Sequence, residues 1–147
     1  MKLMLSLLCF TFLNTQCATK NINDLGTTSD DKNAIFEYKY YTRGFYKEHH
    51  ISEEKIITYL DYKKEKFVEK KITPLDWAKC LELLTQIDFD GFENLKAPSG
   101  LRHTDKVQHA ELTLKINNST FKSRAFDHGN PPKDLKSLVD HLLYLSE

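Results

Sequence analysis

The stretch His109-Ala110-Glu111-Leu112-Thr113-Leu114-Lys115-Ile116 alternates without a break, and it constrains the fold more than any other part of the chain. Successive side chains of a strand point to opposite faces, so Ala110, Leu112, Leu114 and Ile116 share one face and need a cover. The same period appears in Ile35–Tyr40, where Phe36, Tyr38 and Tyr40 oppose Glu37 and Lys39. Further extended runs are expected over 46–51, after the Arg43-Gly44 break, over 56–62 and over 66–72. Ser52-Glu53-Glu54 reads as a turn, and Lys63-Lys64 joins the last two runs. Asn117-Asn118 tolerates the positive φ of a tight hairpin, which brings 120–126 back along 109–116.

At Ile72 the period changes. Thr73-Pro74-Leu75-Asp76 places a hydroxyl at the N-cap, proline at the first helical position and an acid at the third. The helix that follows is expected to bury Trp77, Cys80, Leu81, Leu84 and Ile87, with Ile72 and Trp77 as a hydrophobic staple. Cys80 then reads as a core residue. A last helix from about Lys133 presents Leu135, Leu138, Val139, Leu142 and Leu145 on one side. Between the helices lie a loop rich in turn formers, 88–106, and the 109–126 hairpin. An antiparallel meander, a helix, a hairpin and a C-terminal helix, with both helices on one face of the sheet, define an α+β domain over 34–147. Its length suits one core.

Residues 1–16 have the layout of an export signal: Lys2, then an apolar run from Leu3 to Leu13, then polar residues. Those 11 residues fall well short of the roughly 20 that cross a bilayer as a helix. Cys17 stands where a bacterial lipoprotein is lipidated, ahead of a polar tether over 17–33. The expectation is a lipid-anchored envelope protein, periplasmic or at the outer membrane, touching the membrane through the anchor alone; without lipidation it is periplasmic or secreted. A lipidated Cys17 leaves Cys80 without a disulfide partner, whereas a free Cys17 permits a bridge that would pin the tether. Removal of 1–16 leaves 20 basic against 21 acidic residues, which gives no electrostatic footprint for nucleic acid.

Catalytic signals are sparse. His49 and His50 are neighbours on a strand and face opposite ways. His103, Asp105 and His109 match no zinc spacing, so neither a metal nor any other cofactor is expected. Ser99 lacks the strand-turn-helix setting of a nucleophile elbow, and Asp88, Asp90 and Glu93 read as a solvated loop. Three loop groups fall at element ends, where binding residues concentrate: Arg43-Gly44-Phe45, the 97–105 loop with Arg102 and Asp105, and the corner Phe126-Asp127-His128-Gly129-Asn130-Pro131-Pro132. Arg43 and Arg102 are candidates to grip Asp127 in a bidentate contact. Within the corner, Asp127 can accept from the backbone two residues on and Gly129 suits a type II turn. Asn130 suits an N-cap, and the prolines open the last helix. Only His128 has no structural task.

The segments RGFYKE at 43–48, APSGLRHTD at 97–105 and FDHGNPP at 126–132 together resemble a group of small exported proteins of Bacteroidota, of lipoprotein type and with no assigned activity. The element order is also similar, more distantly, to emfourin-type inhibitors of thermolysin-like metalloproteases; that resemblance implies an inhibitory loop at Arg43-Gly44-Phe45. The expected function is a non-enzymatic binding module for a protein or small molecule of the envelope, through Arg43, Gly44, Phe45, Arg102, Asp105, Asp127 and His128. The alternatives are a protease-inhibitor-like module and a metal-dependent or hydrolytic enzyme using Asp127 and His128.

Overall fold

Strand β1 (Ala34–Thr42) lies in the middle of an antiparallel sheet, with β2 (Phe45–Ile51) on one side and β5 (His109–Ile116) on the other. The computed structural model describes residues 33–147; the expected export signal, Cys17 and the expected tether up to residue 32 lie outside the described residues. Beyond β2 come β3 (Lys55–Tyr59) and β4 (Phe67–Lys71), and beyond β5 come β6 (Ser119–Lys122) and the short β7 (Phe126–Asp127). Helices α1 (Pro74–Leu84) and α2 (Lys136–Ser146) complete the α+β architecture, and no described helix is long and apolar enough to cross a membrane.

The alternation decides which sheet face is covered. Phe36 and Tyr38 of β1, Ile51 of β2, Ile56 of β3 and all four inward residues of β5 are buried against Trp77, Cys80, Leu83 and Leu84 of α1 and Leu138, Val139, Leu142 and Leu145 of α2. Phe36 meets Trp77 edge-on at 5.6 Å. Each fully buried large apolar side chain contributes about 1.5–3 kcal/mol relative to exposure, which is what holds two short helices on the sheet. Helix α1 starts as expected: Thr73 Oγ1 accepts the Asp76 N–H at 3.1 Å and donates to the Asp76 carboxylate at 2.7 Å. Burial pushes the Cys80 thiol up to about 12, so it is a core group rather than a nucleophile.

Several boundaries differ from expectation. β3 stops at Tyr59 because Asp61 accepts the N–H groups of Lys63, Glu65 and Lys66 and folds the chain into a turn with Lys64 at φ +57°. In α1 Leu84 is buried as expected and Leu83 is buried with it, Leu81 is only half-buried, and Ile87 is buried beyond the helix. The strand expected over 120–126 is broken at Ser123, whose Oγ accepts the Leu112 N–H at 3.0 Å while its own N–H bonds Leu112 O at 2.9 Å. This side chain replaces a ladder carbonyl, and the chain then resumes as β7 against His109 and Ala110. A 3-10 turn, Lys133–Leu135, precedes α2, and no side chain caps either one, so Asn130 is not the N-cap. Pro131 and Pro132 are buried in the corner.

Candidate functional site

The loops named above gather at the end of the sheet where β1 finishes and β2 and β5 begin. Asp127, the last residue of β7, is 2% exposed and its carboxylate is saturated. Oδ2 accepts from the Ser99 hydroxyl at 2.5 Å and the Leu101 N–H at 2.8 Å; Oδ1 accepts from the Arg102 N–H and the Arg102 guanidinium, each at 3.0 Å. It thereby caps a 3-10 turn, Leu101–Thr104, whose own N-cap residue, Gly100, supplies no side chain. Burial would raise the acid, but the bonds from Ser99, Arg102 and Leu101 outweigh it and hold the carboxyl far below the usual aspartate range.

Arg102 does not form the expected bidentate fork. One nitrogen, Nη1, serves both Asp127 and the Ser99 carbonyl, the latter at 2.7 Å. Arg43 stands exposed at the β1–β2 turn, where the structure records no contact with Asp127. Asp105 is exposed and closes the 3-10 turn at φ +55°. Asn130 donates to Ser99 Oγ at 2.7 Å, so both the hydroxyl and the acid that chemistry would need are engaged in joining 99–102 to the corner. The corner itself turns as expected: Asn130 N–H bonds Asp127 O at 2.8 Å with Gly129 at φ +78°.

His128 has a structural setting after all. Its ring lies flat on Tyr40, centroids 4.0 Å apart and planes 3° from parallel, and Nδ1 is 2.9 Å from the Tyr38 hydroxyl. Burial pushes the Tyr38 phenol well above 10, so it stays protonated and can donate to Nδ1. Burial, then the charge of Lys47, lowers the His128 pKa and keeps the ring neutral. Tyr40 also packs against Phe45 at 5.7 Å and His49 at 5.6 Å. Phe45 is 39% exposed, so the rings of Phe45, Tyr40 and His128 form a ledge that is open at the hairpin tip. His49 is buried, with Nδ1 2.8 Å from Thr58 Oγ1, and burial followed by Lys47 lowers it to about 4.

The other sheet face carries a cluster the sequence reading missed. His50 does point away from His49, and it meets Glu48 of its own strand and Glu37 of β1. Burial raises the Glu48 carboxyl, but hydrogen bonds from His50, Tyr46 and Lys64 reverse the shift and bring it to about 2. The two-residue spacing of Glu48 and His50 was visible on the strand; Glu37 required the cross-strand register. His103 and His109 approach edge-on at 6.3 Å, and His109 stacks on Tyr41. No family model, curated protein or solved structure matches the chain.

Proposed function

We propose that this is an exported, lipid-anchored, non-enzymatic binding module whose recognition surface is the sheet end formed by the β1–β2 hairpin tip and the 127–130 corner. One observation carries the reading: the Asp127 carboxylate is saturated by donors of its own fold and the His128 ring is stacked on Tyr40 and bonded to Tyr38, while Arg43 and Phe45 are exposed on the β1–β2 hairpin. An aromatic edge flanked by Arg43 and Lys47 suits a partner that offers an apolar group next to an acidic one. Anchoring at Cys17 would present that end of the domain in the envelope.

The surface is tested by photocrosslinking in the native envelope. Benzoylphenylalanine at position 45 is expected to capture a discrete partner, and the same group at Leu75, 80% exposed on α1, to capture none. Phe45→Ala should weaken the isolated complex by at least about tenfold, the usual cost of truncating an aromatic anchor. Equal capture from both positions would remove the hairpin tip as the site. For the anchor, radiolabelled palmitate should enter the wild type but not Cys17→Ser; label in neither would mean plain secretion.

A further inference from the structure

We infer that Glu37, Glu48 and His50 form a binding site for a divalent transition-metal cation on the sheet face opposite the helices. Glu37 and His50 are direct cross-strand partners, and Glu48 lies two residues before His50, so the three side chains share one face of the two central strands. His50 Nε2 is 2.6 Å from Glu48 Oε1 and 3.6 Å from Glu37 Oε1, and one ligand atom from each residue falls within 4.8 Å of the others. The donors stand on hydrogen-bonded strands, which fixes their spacing better than a loop would.

A second observation points the same way: two of the three groups are oriented from behind. The Tyr46 hydroxyl donates to Oε2 of Glu48, turning Oε1 toward His50, and the His50 ring is set edge-on against Tyr59 at 5.0 Å and 79°. Metal ligands are commonly held by such outer partners. Two carboxylates balance a 2+ charge, and an imidazole beside them favours zinc, iron, nickel or copper over calcium and magnesium, which prefer oxygen alone. Three protein ligands leave further coordination positions for water or a ligand.

Two ammonium groups compete for the same oxygens. Lys64 Nζ is 3.0 Å from Glu48 Oε1, and Lys115 Nζ is 2.6 Å from Glu37 Oε1. Both side chains are loosely held, at 40% and 44% exposure, and Lys64 also lies over the Tyr59 ring at 5.1 Å, a resting place once a cation displaces it.

The test is titration of chelator-treated full-length protein with Zn²⁺ alone, by calorimetry, and with Co²⁺ alone, by absorption. One saturable equivalent is expected. His50→Ala and Glu37→Gln should each weaken it by at least about tenfold, and Tyr46→Phe, which removes no ligand, by about tenfold. Lys64→Ala with Lys115→Ala should tighten binding, which an ion-pair cluster without a metal role would not do. Circular dichroism melts of the metal-free variants separate lost binding from lost folding. Absence of saturable uptake by the wild type, or uptake unchanged in His50→Ala, overturns the assignment.

Discussion

Replacing Asp127 by alanine is expected to destabilise the fold by about 3–5 kcal/mol, seen as a lower urea midpoint at unchanged slope. The substitution removes the acceptor of four donors and leaves the Arg102 guanidinium, 11% exposed, facing the Ser99 carbonyl alone. The pH dependence gives a sharper check. Because the folded carboxyl titrates below its unfolded value of about 3.9, its stabilisation is complete above about pH 5 and is lost as pH falls through the folded value. The gap between wild type and Asp127→Asn should therefore be constant near neutrality and close in acid. A gap independent of pH, or an alanine cost under about 1 kcal/mol, would show that the corner does not depend on this acid.

The second large effect belongs to His49 and to a higher pH window. The unfolded imidazole takes a proton near pH 6.5, whereas the buried one resists until about 4. Stability is thus full above about pH 6.5 and declines toward about pH 4, by a total of about 3 kcal/mol, after which this group contributes no further slope. The groups facing it sharpen the effect: Lys47, Lys70 and His128 oppose the added charge, while Glu48 favours it. His49→Gln keeps a polar group for Thr58 and cannot titrate, so urea melts across the window should show a flatter decline. A residual slope remains from His128, which is depressed in the same direction. An unchanged slope in His49→Gln would place the acid sensitivity elsewhere.

What was legible in the sequence was what local spacing determines. β1 and β5 followed from alternation, and the start of α1 followed from a hydroxyl, a proline and an acid at fixed offsets. Features set by long-range contacts were not legible. Asp127 was read as serving its own turn and as a partner of Arg102; the Arg102 contact forms, but nothing in the sequence signals the further bonds from the Ser99 hydroxyl and from the Leu101 and Arg102 N–H groups. His128 lacked a task in the sequence because its partners, Tyr38 and Tyr40, lie about ninety residues earlier and are brought to it by the β1–β5 and β5–β7 pairings. The break at Ser123 was hidden for a related reason: a serine that substitutes for a strand carbonyl looks in sequence like any small polar residue.

The position of β1 has a mechanical consequence. A chain that enters the domain at Ala34 enters at the sheet's centre, because Ala34 pairs with Ile116 and Phe36 lies between Leu114 and Ile51. Tension arriving from the N-terminal side would load two hydrogen-bond ladders in shear at once, each backed by the buried side chains of Phe36 and Tyr38. An edge strand in that place would peel away one bond at a time. The order of strands therefore sets two ladders, rather than one, against a pull on the N-terminal end of the domain.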